Sequence, residues 1–374
     1  MMRKSEKMST VCDIDMCTGC RACENVCPKN AIRIEDSIGA LNAIIDKEKC
    51  VDCDTCKKVC PNEVLCELRE PIFWKQGWAP EEIRQHSASG GAASAIIMSF
   101  VKKGGYVVSC LFEDGDFIFK ATNNVKDINK FAGSKYVKSN PQNIYEEIKT
   151  LLSRGEKVLF IGLPCQVAGV ISLYREYEEL YTMDLICHGT PSPSLLKQYI
   201  SDEGIIWETI TQIDFRNNNR FGISINGSRI KPNRVLDSYL LAFLNSLNYT
   251  ENCYSCRYAS IKRVSDITLG DAWGQLSDKM DKGVSLILCQ SEKGIALLET
   301  AELHLEEVDL SAAVDANHQL KHPSNRHIGR RRFMKSLKKN GNFKRAVFIA
   351  LPIACIKQKL KDLLIELHII KDYV

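Results

Sequence analysis

Long apolar runs and secretion signals are missing from this sequence of 374 residues. The first ten residues, Met1 to Thr10, are polar and lack the apolar stretch of a secretory leader. No apolar run approaches the ~18 residues that a membrane-spanning helix needs. We therefore expect a cytoplasmic protein whose thiols stay reduced, which excludes a disulfide-stabilised secreted domain.

A large overall charge is also missing, because 50 Lys and Arg residues oppose 46 Asp and Glu residues. The small excess is local: residues 327–374 contain twelve Lys or Arg and three acids, a net charge of +9 that leaves −5 for the rest. A body without a basic excess does not favour nucleic-acid binding, and we expect none.

Cysteine, in contrast, is abundant, with 17 residues. Eight of them form two copies of the spacing C-x₂-C-x₂-C-x₃-C-P, at Cys17, Cys20, Cys23 and Cys27 and at Cys50, Cys53, Cys56 and Cys60. Three closely spaced thiolates can wrap one cubane cluster, while the fourth cysteine, before the proline, reaches the other cluster. We therefore assign one 4Fe-4S cluster to Cys17, Cys20, Cys23 and Cys60, and a second to Cys50, Cys53, Cys56 and Cys27. Zinc sites and disulfide frameworks, the alternatives, usually have other spacings or a secreted chain.

A parallel β-α-β unit is predicted over residues 157–189, with a strand at 157–162, a helix at 166–177 and a strand at 181–186. A cysteine follows each strand, at Cys165 and Cys187, so both thiols should lie at one edge of the sheet. Cys253 and Cys256 add a C-x₂-C pair. Four thiolates are enough for a third cubane cluster; zinc and plain packing remain alternatives.

A glycine-containing loop, Ser89-Gly90-Gly91, precedes an apolar segment that predicts a helix ending near Lys103. Backbone N–H groups at such a helix start attract phosphate, and glycine lets a ligand approach. A plain loop with small residues chosen for packing is the alternative. A β-hairpin is predicted next, over 106–112 and 117–122.

Six motifs in this order resemble the coenzyme F-420 hydrogenase/dehydrogenase beta-subunit family over about residues 84–325. They are His86 to Ile96, Gly133 to Val137, Gly162 to Gln166, Asp184 to Gly189, Cys253 to Cys256, and Asp266 to Gly274. The first 70 residues resemble a bacterial two-cluster ferredoxin.

The family resemblance implies a flavoprotein that binds FAD beside a 4Fe-4S cluster, and Cys165, Cys187, Cys253 and Cys256 match the family's cysteine positions. The residues that match segments expected to line the flavin pocket are Ser89, Gly90, Gly91, Ser94, Lys135, Tyr136, Gln166, Asp271 and Trp273. His188 is a candidate catalytic proton donor, or else a hydrogen-bonding partner of cluster sulfur or backbone.

The function expected from these features is that of an oxidoreductase. Electrons would pass from a ferredoxin-type donor or a partner redox subunit through the clusters to FAD and on to a small-molecule substrate, in one interpretation within a surface-polysaccharide pathway. The alternative is an electron-transfer beta subunit of a hydrogenase or dehydrogenase complex that reduces coenzyme F-420 or a similar carrier.

The predicted fold class is α+β combined with α/β. A ferredoxin-like dicluster domain (1–70) and a linker (71–85) precede an α/β flavin-binding and 4Fe-4S-binding domain (86–325) and a basic helical tail (326–374). Apolar residues recur at helical spacing from Ile356 to Leu367 in the tail, with lysines on other faces. Such a helix can lie on anionic lipid at the inner face of the membrane, bind an acidic ferredoxin-like donor, or pack on the body.

Overall fold

The computed structural model describes residues 9–217, 220–232, 234–273 and 282–372. Its helices are α1 (Ala22–Asn25), α2 (Thr55–Lys58), α3 (Glu81–Arg84), α4 (Ala92–Lys102), α5 (Ile144–Ser153), α6 (Pro164–Tyr174), α7 (Pro193–Asp202), α8 (Ser238–Leu244), α9 (Glu292–Glu299), α10 (Leu310–Ala316), α11 (Arg330–Asn340), α12 (Phe343–Ala350) and α13 (Pro352–Glu366). In the described part of the chain, none of the helices combines the length and the apolar character needed to cross a bilayer.

The strands are β1 (Ile32–Asp36), β2 (Leu41–Ile45), β3 (Phe73–Trp78), β4 (Tyr106–Glu113), β5 (Asp116–Thr122), β6 (Val158–Gly162), β7 (Leu180–Leu185), β8 (Ile213–Asn217), β9 (Arg220–Ile225), β10 (Ser228–Arg229), β11 (Ile267–Asp271), β12 (Ser285–Cys289) and β13 (His304–Glu306). Among the described residues, eight of them form one mixed sheet in the order β13-β3-β12-β11-β7-β6-β4-β5. Its centre is parallel, because β4, β6, β7 and β11 pair in parallel. This confirms the mixed α/β class.

The predicted β-α-β unit is present as β6, α6 and β7. The helix begins two residues earlier than the sequence predicts, so Cys165 lies in its first turn. Pro164 suits the first helical position because its missing N–H has no intrahelical partner there. The Gln166 side chain also accepts a hydrogen bond from the N–H of Leu163, at 2.9 Å, which stabilises this early start.

Helices cover both faces of the large sheet. Helices α4 and α9 pack on one face through residues such as Ile96, Phe100 and Leu297. Helices α5 and α6 pack on the other, where Ile148 and Val167 contact the strand residues. Strand β6 is buried along its whole length, as expected for a central parallel strand.

The segment predicted as a linker, residues 71–85, contains strand β3 and the short helix α3. Strand β3 lies between β12 and β13, with Leu288 opposite Trp74 and Leu305 opposite Gly77. The aromatic and proline residues of this segment resemble a connection in sequence, but they form an antiparallel strand because neighbouring edges supply backbone partners. The segment therefore belongs structurally to the large sheet.

The segment predicted as a tail divides into two parts. Helices α11 and α12 bury Phe333, Phe343 and Val347 in a cluster shared with α7, α8 and the small sheet β8-β9-β10. Helix α13 has one fully buried side chain, Cys355. The first two helices are thus part of the core, and the third lies on the surface.

A buried ion pair connects two parts of the chain near the end of β7. Arg263 donates to Asp184 at 3.1 Å, and the two side chains are 1% and 0% exposed. Arg263 also donates to the carbonyl oxygens of Tyr258 and Leu185. Burial raises the pKa of Asp184, while Arg263 opposes that shift. The pair holds the segment after Cys256 against the end of β7.

Replacing Arg263 with Met should lower the free energy of unfolding by ~3–5 kcal/mol, because Asp184 would stay buried without its cation. Urea unfolding followed by circular dichroism under anaerobic conditions measures the change. The matched control is Lys262→Met, since Lys262 pairs with Glu70 where both side chains are more than half exposed and should cost less than ~1 kcal/mol. Equal stability of the two variants would contradict the role of the buried pair.

Candidate metal centres

The two cysteine-rich loops share one backbone conformation. The second and fourth residues after the first cysteine have left-handed dihedrals in both: Gly19 and Arg21 in the first loop, Asp52 and Asp54 in the second. This conformation directs backbone N–H groups inward, and successive N–H groups form a site for negative charge. The N–H of Gly19 donates to Sγ of Cys17 and that of Asp52 to Sγ of Cys50, each at 3.4 Å.

The distal cysteine group, Cys27, Cys50, Cys53 and Cys56, lines one cavity of about 310 Å³. Cys27 comes from the first loop and the other three from the second, which is the crossed arrangement that the spacing predicts. Cys53 is exposed, and the other three are partly exposed. The group therefore lies where an external electron donor can approach it.

The proximal cysteine group, Cys17, Cys20, Cys23 and Cys60, is buried. Burial raises the pKa of the Cys20 thiol to about 11 and that of Cys23 well above its usual value; the neighbouring thiol of Cys60 adds to both shifts. These thiols are protonated at neutral pH in the absence of a metal, so iron must displace their protons. Cys12 lies beside Cys17 and Cys60 as a fifth buried thiol.

The body cysteine group, Cys165, Cys187, Cys253 and Cys256, converges on one small cavity of about 30 Å³. Burial raises the pKa of Cys187 to about 12, and repulsion by the two thiols of the C-x₂-C pair adds to it. The Thr250 hydroxyl lies 3.3 Å from Sγ of Cys253 and can donate to a thiolate. Tertiary structure thus assembles four sulfurs from three separate chain segments.

In the described ranges, no three His, Cys, Asp or Glu side chains are close enough together to hold a single metal ion. An iron–sulfur cluster binds its four thiolates at four separate iron atoms, so the result concerns single ions and not clusters. The N–H donors at the sulfurs and the grouping of the cysteines fit a cluster in the distal and proximal groups.

The proximal loop packs directly on helix α6 of the body. A Cβ atom added at Gly169 would lie 3.0 Å from Cβ and 3.2 Å from Sγ of Cys20. The Tyr145 hydroxyl donates to the carbonyl oxygen of Cys20, and Ser172 donates to that of Val59 at 2.8 Å. Because Cys165 lies in the first turn of the same helix, the proximal and body groups are neighbours.

A buried lysine lies between these two groups. Lys138 is 3% exposed and lines the cavity of the body cysteine group. Its ammonium donates to the carbonyl oxygen of Thr18, at 3.1 Å, inside the first cysteine loop. Burial alone lowers the pKa of Lys138, but nearby thiolates, Cys253 first, outweigh burial and raise it. The sequence offered no motif for this residue, whose role depends on the approach of two distant segments.

The residues expected to bind a flavin meet along the carboxyl edge of the large sheet. The Ser89-Gly90-Gly91 loop contacts Gly283 and Ser285, and Ser285 pairs with Asp271 of β11. Helix α4 begins at this edge, as do the segments that carry Cys165 and Cys187. The edge is therefore continuous from the glycine loop to the body cysteine group. Gly274, in the last family motif, lies outside the described residues.

Several of these side chains already have internal partners. Ser89 donates to the carbonyl oxygen of Val284 at 3.0 Å, and Ser94 contacts Ser87. The space beside Gly90 is filled by the backbone of β3 and β12. Lys135 donates to two carbonyl oxygens of its own loop. Gln166, 1% exposed, bonds to Ser139 at 2.9 Å. These contacts give each residue a structural role.

An ion pair lies beside Tyr136 and Asp271. Arg216 donates to Asp271 at 2.9 Å, with its side chain 3% exposed. Tyr136 packs 4.5 Å from the ring of Phe243, measured between centroids, and interacts with Arg216. Trp273 follows this group, its N–H donating to the carbonyl oxygen of Asp271. Sequence reasoning missed Arg216, since a lone arginine in a strand carries no signal.

His188 lies next to Cys187 and outside the cavity-forming strands. Its Nδ1 is 2.6 Å from Nε2 of Gln319. Loss of hydration, together with repulsion by His318, lowers the pKa of His188 to about 4. The imidazole is therefore neutral at neutral pH in the metal-free protein, which favours hydrogen bonding over proton donation.

Residues 155–312 match the family described as the C terminus of the coenzyme F420 hydrogenase/dehydrogenase beta subunit, and residues 16–64 match the 4Fe-4S dicluster domain. The chain joins a dicluster domain to a beta-subunit domain of this family. This confirms the recognition made from the six motifs and the cysteine spacing. The comparison with curated proteins found no match.

Among solved structures, the chain is similar to one from the F420-reducing [NiFe] hydrogenase complex of Methanosarcina barkeri. The two are 17% identical, the alignment covers 72% of this chain and 95% of the other, and the TM-score is 0.48.

Replacing Lys138 with Met should make the midpoint potential of the proximal cluster more negative by tens of millivolts, because the buried ammonium stabilises the extra electron of a reduced cluster. Redox titration of anaerobic protein, followed by electron paramagnetic resonance, measures the shift. Lys138→Arg keeps the charge and should retain most of the potential. An unchanged potential in the Met variant would contradict the role of the charge.

Proposed function

We propose that this chain is an electron-transfer iron–sulfur protein that passes electrons between an external donor at the distal cysteine group and a redox partner at the body. The packing of the proximal loop on helix α6 carries this proposal. It aligns an exposed, a buried and a body cysteine group within one polypeptide. The family match supports a role as a subunit of a hydrogenase- or dehydrogenase-type complex.

A third 4Fe-4S cluster at the body cysteine group is part of the proposal. Four thiols with N–H or hydroxyl donors fit such a cluster, and Lys138 supplies a nearby positive charge. Zinc is the competing ligand, because it takes the same four thiolates. The two alternatives differ in iron content and colour.

FAD at the carboxyl edge of the sheet is the second part. A bound flavin can exchange single electrons with a cluster and electron pairs with an organic substrate. The α4 N-terminus and the Tyr136, Arg216 and Asp271 group would hold it, because they line the edge beside Cys187. Ser89, Lys135 and Gln166 would act through the loops that they stabilise.

The acceptor distinguishes two forms of this function. An electron-transfer beta subunit would reduce coenzyme F-420 or a similar carrier within a complex, as the matched family's description suggests. The isolated chain should then reduce artificial dyes but turn over no metabolite. A self-sufficient oxidoreductase, for example in a surface-polysaccharide pathway, is favoured by the exposed Leu185 and part-buried Ile186 beside Cys187, which offer an apolar surface to an organic ring.

Protein purified without oxygen should contain about twelve iron atoms and one FAD per chain, since three cubane clusters hold four irons each. Colorimetric iron and sulfide analysis and the absorbance of released flavin measure this. About eight iron atoms with one zinc ion would remove the third cluster, and absence of flavin would remove FAD while leaving electron transfer through the head.

The Cys256→Ser variant should lose about four iron atoms per chain, because a cubane with three thiolates is bound less firmly. Cys110→Ser is the matched control, since Cys110 is part-buried among apolar residues away from the three groups. Equal iron content in both variants would show that the body cysteine group holds no cluster.

A further inference from the structure

Helix α13 attaches to the body through one side. Cys355 is buried, Gln358 accepts a hydrogen bond from the N–H of Leu236 at 3.0 Å, and Asp362 pairs with Lys231 at 2.7 Å. With 100° of rotation per residue, these three positions fall within an arc of about 60°. This arc is the attached side of the helix.

The opposite side of α13 is apolar and exposed. Ile353, Ile356, Leu360, Leu363 and the capping residue Leu367 are 71%, 55%, 54%, 48% and 59% exposed. Their positions fall within an arc of about 80°, centred roughly 160° from the attached side. A surface helix normally turns its apolar stripe toward the core. Here the stripe points away from the protein.

Lysines border this stripe on both edges. Lys357 and Lys361 lie along one edge and Lys359 along the other, and all three are exposed. The acids of the helix, Asp362 and Glu366, lie on or next to the attached side by the same helical geometry. The outward half of α13 therefore presents aliphatic side chains and positive charges without a carboxylate.

The neighbouring helix α12 extends the same surface. Phe348 and Ile349 are 42% and 38% exposed, and Nζ of Lys359 lies 5.6 Å from the centroid of the Phe348 ring. Arg345, in the same helix, is also exposed. The apolar stripe and its basic borders thus cover parts of two helices.

We propose that this surface of α12 and α13 lies flat on an anionic lipid membrane. The aliphatic side chains enter the boundary of the acyl chains, and the lysines on both edges contact lipid phosphate groups. Charge decides between the occupants. A second copy would bring the same lysines face to face, whereas an anionic membrane offers negative charge along both borders. The redox centres lie in other parts of the molecule, so binding leaves them accessible.

Flotation of the anaerobically purified full chain tests this proposal. The protein should float with vesicles of phosphatidylcholine and phosphatidylglycerol in equal parts at low salt, and remain below with phosphatidylcholine alone or at high salt. The double variant Ile356→Gln, Leu363→Gln should bind the anionic vesicles at least about tenfold more weakly, since two aliphatic side chains no longer enter the lipid.

The matched control is Ile72→Gln, Ile206→Gln, which removes two isoleucines that are 52% and 65% exposed elsewhere and should float as the parent does. Iron content and circular dichroism should be unchanged in both double variants, because all four side chains are exposed. Failure of the parent chain to float, or equal flotation of the α13 variant, overturns the proposal. A dimer in size-exclusion chromatography that only the α13 variant dissociates assigns the surface to a second copy and overturns it as well.

Discussion

The contact between the proximal cysteine loop and helix α6 is the constraint on which the arrangement of centres depends. Gly169 lets Cys20 approach the helix backbone, and any side chain there would meet its Cβ and sulfur atoms. Cys20 and Ala22 belong to the same apolar cluster as Val167 and Val170 of α6. The head is thus packed on the body as a core layer, which keeps the relative position of the cysteine groups constant.

Polar contacts from distant segments hold the head in that position. Arg330, from the C-terminal part of the chain, donates to the carbonyl oxygens of Leu247 and Gly39, and Glu251 donates its N–H to the same Gly39 oxygen. Arg257, next to the C-x₂-C pair, donates to the carbonyl oxygen of Pro61 at 3.0 Å. The segments that carry the body cysteines therefore also support the dicluster head, so the two redox units are mechanically connected.

The carboxyl edge of the sheet shows how one set of residues combines structural and binding roles. Gln166 starts helix α6 and holds the loop of Ser139, while Arg263 holds the loop after Cys256. Arg216 orients Asp271 in the same way. Rigid loops of this kind place the polar atoms of a cofactor site without a loss of conformational entropy on binding.

The spacing of the cysteines was sufficient to predict the dicluster head, because ligands within one short loop are close in any fold of that loop. Apolar periodicity was likewise sufficient for β6, α6, β7 and the hairpin β4-β5, whose burial patterns alternate or run as the strands require. Strand β3 was not predictable, because its partners are distant in sequence.

Only the tertiary structure decided which distant residues meet. It brought four body cysteines into one cavity, inserted Lys138 between two cysteine groups, and turned the apolar stripe of α13 outward. Local patterns specify the form of a segment and the period of its apolar residues. The partner of each face depends on long-range packing, which the sequence of that segment does not contain.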